Sequence, residues 1–290
     1  MVGLLGGYEG QERDKYTGLT FRPQARAGRG GVCIPAFGNG QSPTMAEQGI
    51  RFSLVIPAYN EEAYLPRLLD SVAAARQAYD GGAKRIEVIV ADNASTDRTA
   101  DIARARDCRV VPVALRRIAA ARNGGAAVAA GDILCFIDAD SSIAPETFNA
   151  IDRAMRSGRV AIGATGVAPD RTSLGIRITF WVGQTLIWLA GMDAGVVFCS
   201  REDFLAVGGY DEERLAAEDV DFMYRAKTHG RKQGRRFVRL RRVEALTSMR
   251  KFDKYGDWHF LPLAFRAGYQ MLFSKKRFER TAKRYWYEDR

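Results

Sequence analysis

Ile133-Leu134-Cys135-Phe136-Ile137-Asp138-Ala139-Asp140-Ser141-Ser142 joins five apolar residues directly to two aspartates one residue apart. Such a short apolar run, ended by polar residues, fits a strand buried on both faces of a sheet. Isolated buried carboxylates are costly, so acids at such a strand end are paired, coordinated or exposed. Alternate residues of an extended segment point the same way, so Asp138 and Asp140 can share one hard cation, Mg2+ or Mn2+. A turn and helix cap ahead of Pro145 would use the same two residues without a metal.

Working outward, the same rhythm recurs. Phe52 to Pro57, Ile86 to Val90, Val110 to Val113 and Val160 to Ala164 read as further strands. Between them Leu65, Leu68, Leu69 and Val72 repeat at helical spacing. Asp97 can cap a helix carrying Ile102. Ile118 to Ala130 is Ala-rich and helical, and Pro145 opens a helix through Met155. Strand and helix alternate for more than a hundred residues, which predicts an α/β fold with a mixed, mostly parallel central sheet flanked by helices. Past Asp170 the rhythm breaks. Gly195 to Cys199 reads as a strand, Arg201 to Val207 as a short helix, Glu218 to Thr228 as a helix closed by His229-Gly230, and Phe237 to Leu240 as a weak strand.

In such sheets ligands bind beyond the carboxyl ends of the strands. Position therefore selects Tyr59 and Asn60, Asp92 and Asn93, and Asp138 and Asp140. The Tyr59 ring can stack on a base or pack at the sheet edge. The Asp92 carboxylate can accept from a ribose or base, or satisfy turn backbone. Arg122, in Ala121-Arg122-Asn123-Gly124-Gly125, can neutralise phosphate or sit on a solvated helix face. Glu218 and Asp219 begin a helix, where acids suit the macrodipole; Asp219 can also serve as a general base.

In this order the segments resemble the family 2 glycosyltransferases, of GT-A fold. They are Ser53-Leu54-Val55-Ile56-Pro57-Ala58-Tyr59-Asn60-Glu61-Glu62, Ala91-Asp92-Asn93-Ala94-Ser95-Thr96-Asp97, Ala121-Arg122-Asn123-Gly124-Gly125, Ile137-Asp138-Ala139-Asp140, Gly208-Gly209-Tyr210-Asp211-Glu212 and Glu218-Asp219. The resemblance covers about residues 52–230. It implies an inverting transfer from a UDP- or GDP-linked sugar to a hydroxyl or phosphate acceptor. It also implies that Pro57, Tyr59 and Glu61 line the nucleoside pocket, with Asp92 on the base or ribose and Arg122 near the nucleotide. Asp138 and Asp140 look like the Mg2+ or Mn2+ motif, Asp219 like the catalytic base and Glu218 like its supporting group. Arg250 is expected over the diphosphate, on charge and position. Two departures stand out. Ala94 replaces the family's usual Gly, and because Ala disfavours positive φ the loop is expected to take a different path. No Gln-x-x-Arg-Trp motif occurs, which argues against processive synthesis.

The domains expected are a Gly- and Arg-containing disordered leader over 1–49, a transferase domain over 50–240 and a basic, aromatic extension over 241–290. Within the transferase domain, the nucleotide half covers about 50–140 and the acceptor half about 141–240. The chain has 290 residues and a net charge of +10. Residues 231–290 hold 18 Lys/Arg against 6 Asp/Glu, so the excess belongs to the C-terminal fifth. That fifth suits an anionic membrane surface and a lipid-linked acceptor. No nucleic-acid motif accompanies it. Ile176 to Val182 with Thr185 to Ala190, and Phe260 to Phe273, are apolar but interrupted, fitting an interface better than a span. Cys33, Cys108, Cys135 and Cys199 are scattered, and no long apolar leader is evident. The expected location is therefore cytoplasmic, or peripheral on the cytosolic face of a membrane. Two rival functions remain at this level. One is a nucleotidyltransferase, for which the Gly-rich, Lys-containing loop after the first strand is missing. The other is a non-catalytic protein binding an anionic membrane or nucleic acid. His259 reads as packing or capping more readily than as a metal ligand.

Overall fold

Phe52–Ala58 forms strand β1, buried at all seven residues. The computed structural model describes residues 49–189, 192–193, 195–214, 217–260, 262–263 and 266. The expected leader, apart from Gly49, and the tail beyond 266 lie outside the described residues. β1 pairs in parallel with β2 (Ile86–Asp92) on one side and β4 (Ile133–Phe136) on the other, and β2 pairs in parallel with β3 (Arg109–Pro112). Helices α1 (Leu65–Gln77), α2 (Thr99–Ala105) and α3 (Ile118–Ala127) make the crossovers. The remaining strands are β5 (Ser141–Ser142), β6 (Val160–Pro169), β7 (Val197–Ser200) and β8 (Arg236–Thr247), and the sheet order is β3-β2-β1-β4-β7-β6-β8-β5. β7 runs antiparallel to β4 and β6, β5 runs antiparallel to β8, and β6 and β8 are parallel. Helices α4 (Thr147–Met155), α5 (Leu174–Leu189), α6 (Arg201–Ala206), α7 (Glu218–Lys232) and α8 (Arg250–Tyr255) complete the described elements.

β1 shows why the sheet is covered on both faces. Phe52, Leu54, Ile56 and Ala58 pack with Leu65, Leu68, Phe148 and Ile151 in one core. Val55 points the other way, into a core with Leu134, Phe136, Tyr210 and Phe222. Side chains alternate across a strand, so a strand apolar at nearly every position must be buried twice. Each large side chain buried this way contributes about 1.5–3 kcal/mol. β1 has its chain successor β2 on one flank and β4 on the other, so the strand order reverses there, and a crevice opens at the carboxyl ends.

Several expectations need correction. The helix opening at Glu218 does not close at His229-Gly230 but runs to Lys232. The weak strand at Phe237 to Leu240 is part of the 12-residue β8, which crosses the expected 240/241 boundary. The strand at Val160 continues to Pro169. The interrupted apolar run after Leu174 is one helix, α5, through Gly183 and Gln184. No helix among the described residues is long and apolar enough to cross a membrane. The run from Phe260 lies mostly outside the described residues. Asp97 stands one residue ahead of the N-cap Arg98 of α2 and not at the cap itself, yet its Oδ1 accepts from Thr99 N at 2.9 Å. Cys135 and Cys199 are fully buried, which pushes both thiols well up, so they are inert packing groups.

Candidate active site

The crevice at the end of β1 is lined by Pro57, Tyr59, Glu61, Asn93, Asp138 and Asp140, with Arg116, Ile118 and Ala121 from the segment after β3 and the start of α3. Five of the expected site residues therefore meet in one cleft. Its loops are tied together by backbone and side-chain bonds. Asn93 N donates to Ala58 O at 2.8 Å, and Asn60 Oδ1 accepts from Thr96 N at 2.8 Å. Asn60 sits between Tyr59 and Glu61 with φ of 52°, a left-handed conformation that Asn tolerates.

Two arginines organise the acids. Arg250, from α8, donates both Nη atoms to Glu61 at 2.8 Å each, and its Nη2 lies 3.0 Å from Asp140 Oδ2. Its guanidinium also lies 4.8 Å from the Tyr64 ring centroid. Burial works against this charge, but the bonds to Glu61 and the nearby Asp140 outweigh it and raise the Arg250 pKa. Arg122, from α3, does not line the cleft. It lies behind it, only 4% exposed. Its Nη2 donates to Asp138 Oδ1 at 2.8 Å, and its Nη1 donates to Glu218 Oε1 at 3.1 Å and to Asp219 Oδ1. One buried guanidinium thus couples Asp138, after β4, to the acids at the start of α7, while Asp140 is held by Arg250. Arg122 Nε and the hydroxyl of Tyr210 beneath it are buried without a hydrogen-bond partner.

Asp219 feels opposed influences. Loss of solvation pushes its carboxyl up, Arg122 pulls it back, and the like charges of Glu218 and Asp138 push it up again, to about 7. The side chain still keeps 37% of its surface exposed, so a substrate proton can reach it. Ala217, immediately before α7, holds φ at 57°, which turns the chain so that Glu218 and Asp219 face Arg122. The preceding turn is pinned from α3. Asn123 Nδ2 donates to Tyr210 O at 2.9 Å and to Glu212 Oε1 at 2.8 Å, and its Oδ1 accepts from Tyr210 N at 2.8 Å.

Asp92 is not among the cleft-lining residues. Its Oδ1 accepts from Ser95 N at 3.1 Å, which makes it a turn former, while its neighbour Asn93 reaches the cleft. Ala94 corrects a second expectation. It keeps φ at 64°, so the loop retains the left-handed conformation that Gly would favour. Arg116 is the residue the sequence reading missed. Its guanidinium carbon lies 3.9 Å from the Tyr59 ring centroid at the cleft wall. It follows β3 at the carboxyl edge of the sheet, so the positional rule that selected Tyr59 and Asp138 would have found it too.

The donor set for a metal is narrow. Among the described residues no group of three or more His, Cys, Asp or Glu converges. Asp138 and Asp140 face the same cleft, and two carboxylates completed by phosphate oxygens suit Mg2+ or Mn2+. They fit a metal bound together with a phosphorylated ligand better than a preformed protein cage. His259 is outside this set, with Nδ1 2.7 Å from Gly256 O and its ring against Phe252.

The family model for glycosyl transferase family 2 matches residues 53–194. Among curated proteins, validoxylamine A glucosyltransferase of Streptomyces hygroscopicus subsp. limoneus is 36% identical over 100 residues, 32% of this chain and 21% of that protein. The undecaprenyl-phosphate 4-deoxy-4-formamido-L-arabinose transferase of Pseudomonas paraeruginosa is 35% identical over 119 residues, 39% of this chain and 34% of that protein. The chain thus spans a fifth to a third of the length of these curated relatives. Among solved structures, S. aureus TarS 1-349 in complex with UDP-GlcNAc aligns with a TM-score of 0.52 at 21% identity, covering 68% of this chain and 58% of that one. The mannosyltransferase PcManGT from Pyrobaculum calidifontis, in complex with GDP-Man and Mn2+, aligns with a TM-score of 0.52 at 23% identity, covering 68% and 56%. Residues 53–194 thus match the model of glycosyl transferase family 2, and the sheet of the chain has the GT-A fold.

Proposed function

We propose that the chain is an inverting, non-processive glycosyltransferase that moves a sugar from a UDP- or GDP-linked donor to a hydroxyl or phosphate acceptor. One observation carries the reading. A general base candidate, Asp219, is joined through a single buried guanidinium to Asp138, a strand-end aspartate that lines the cleft. Tyr59 and Arg116 form a wall for the nucleoside. TarS with UDP-GlcNAc and PcManGT with GDP-Man support a donor of this class. The cytoplasmic, peripheral location expected from the sequence belongs to the same proposal.

The chemistry follows from where charge appears. The acceptor oxygen bonds to the anomeric carbon as the bond from that carbon to the diphosphate oxygen breaks. The bonding pair leaves with the nucleoside diphosphate, and the acceptor proton passes to Asp219. Attack opposite the leaving group inverts the anomeric centre. Asp219 is suited to take that proton because its carboxyl is pushed up towards neutrality while part of its surface stays open. Arg122 offsets part of that rise and orients the carboxylate. Asp138 and Asp140 would hold Mg2+ or Mn2+, which supplies positive charge opposite the departing diphosphate. Arg250 is close enough to Asp140 to bring its own charge to the same oxygens.

The test is Asp219→Asn assayed with a panel of nucleotide sugars. Sugar transfer should fall by at least about a hundredfold, while donor binding measured by calorimetry stays within about twofold of the parent, a shift of about 0.4 kcal/mol. Turnover equal to the parent would remove Asp219 from the mechanism. Release of pyrophosphate in place of a nucleoside diphosphate would replace the reaction with nucleotidyl transfer.

A further inference from the structure

Helix α5 is apolar on opposite sides. Its inner face packs Ile176 and Phe180 against Met249, Phe252 and Phe260. Leu174, Ile178 and Trp181 recur at four and three residues, one stripe of a helix, and this stripe faces solvent. Their exposures are 67%, 37% and 71%. Trp258, 52% exposed, adjoins this helix: the carbonyl of Asp257 lies against Gly175, close enough that a Cβ there would sit 2.7 Å from its oxygen. Contiguous exposed apolar surface of this kind marks an interaction site.

We propose that this outer face of α5, together with Trp258, docks on an anionic lipid bilayer. Charge and residue type select that occupant. Arg177 is exposed on α5 and Lys254 is exposed on α8. The local carboxylates Asp253 and Asp257 are already paired with Arg171, at 2.6 and 3.0 Å. The patch is therefore apolar at its centre and cationic at its rim. Residues 250–290 carry eleven Lys/Arg against five Asp/Glu, so the chain leading away from it is basic as well. Trp is favoured at the headgroup boundary, and exposed cations gain from anionic lipid. The 16 residues of α5 span about 24 Å, short of the roughly 30 Å hydrocarbon core, so the helix lies along the surface. Phe252 of α8 packs on Ile176 while Arg250, two residues earlier, pairs with Glu61 and Asp140 of the cleft lining. Docking would thus hold the cleft at a fixed height above the lipid.

The test needs no turnover, so it stands apart from the catalytic reading. The full chain is floated with phosphatidylcholine vesicles and with vesicles containing phosphatidylglycerol. Binding to the anionic vesicles should exceed binding to the neutral ones by about tenfold or more and fall as salt rises. Ile178→Ser with Trp181→Ser, both exposed, should weaken it by about tenfold with the melting temperature unchanged. Arg177→Glu with Lys254→Glu should abolish the preference for anionic lipid. The proposal is overturned if the parent stays in the aqueous phase with both vesicle types, or if either pair of substitutions floats as the parent does. A concentration-dependent dimer that the Ser pair dissolves, with no vesicle binding, would assign the face to a second copy of the chain and equally overturn it.

Discussion

At the scale of single residues, Asp219 and Ala94 carry opposite kinds of strain. Asp219 ionises against its own burial, with Glu218 and Asp138 adding repulsion and Arg122 opposing both. If it takes the acceptor proton, kcat/KM should fall about tenfold per pH unit below a value near 7 and level off above it. Glu218→Gln removes a like charge, so the falling limb should move to lower pH. A profile flat from the acid side through neutrality would exclude Asp219 as the titrating group. Ala94 stores strain in the backbone. A left-handed L-residue costs about 1–2 kcal/mol, while Gly costs about 0.5–1 kcal/mol more to order than Ala. With φ at 64° the first cost is already present, so Ala94→Gly should stabilise the chain by about 0.5–1 kcal/mol in urea unfolding. A loss of stability would mean the loop does not hold that conformation. The cleft position of Asp138 and Asp140 was legible because ligand crevices open beyond strand ends, whereas Asp92, at an equivalent strand end, serves its own turn. The direction in which Arg122 points was not legible, because helix position alone does not say whether a side chain faces solvent or three carboxylates behind a cleft.

At the scale of elements, the helix that outran its expected end shows what sequence patterns conceal. His229-Gly230 has the form of a helix stop, yet α7 continues to Lys232. Gly230 is there for contact: a Cβ at this position would stand 2.1 Å from the Ala161 Cβ of β6. Helix α7 can approach the sheet this closely only because residue 230 lacks a side chain. Gly230→Ala sets two effects against each other. Helix propensity favours Ala by about 1 kcal/mol, whereas overpacking typically costs 1–3 kcal/mol. The opposing atom is the methyl of an alanine with no rotamer to change, so overpacking wins. The substitution should lower stability by about 1–2 kcal/mol net, and Gly230→Ala combined with Ala161→Gly should recover most of it. A neutral single variant would mean that α7 shifts freely on the sheet. β8 was underread for a related reason. Its burial is partial along most of its length, so its pairing with β6 is carried by backbone bonds and leaves little apolar signature.

At the scale of the whole molecule, the parallel half was legible because each βαβ unit is local and repeats the same apolar signal. The second half was not. β7 inserts between β4 and β6, and β8 lies between β6 and the two-residue β5, pairings across long stretches of chain that no local period encodes. That topology delivers Arg250 to Glu61, 189 residues away in sequence. Ser248 N donates to Asp140 O at 3.2 Å just before α8 starts, which seats the helix beside the loop that carries Asp138 and Asp140. The pair closes the molecule between its first strand and its last, and it is mostly out of water, with side chains 20% and 3% exposed. Bidentate, charge-assisted bonds of this kind contribute about 1.5–3 kcal/mol. Arg250→Ala should therefore destabilise the fold by about 2–4 kcal/mol, since the Glu61 carboxylate stays buried after its main cation is gone. Glu61→Gln in the same background removes that buried charge, so the double variant should be more stable than Arg250→Ala alone. The double-mutant cycle in urea unfolding should return a coupling energy above about 1 kcal/mol. A coupling near zero would mean that α8 holds its place through Phe252 and Met249 alone, and that the arginine takes no part in the fold.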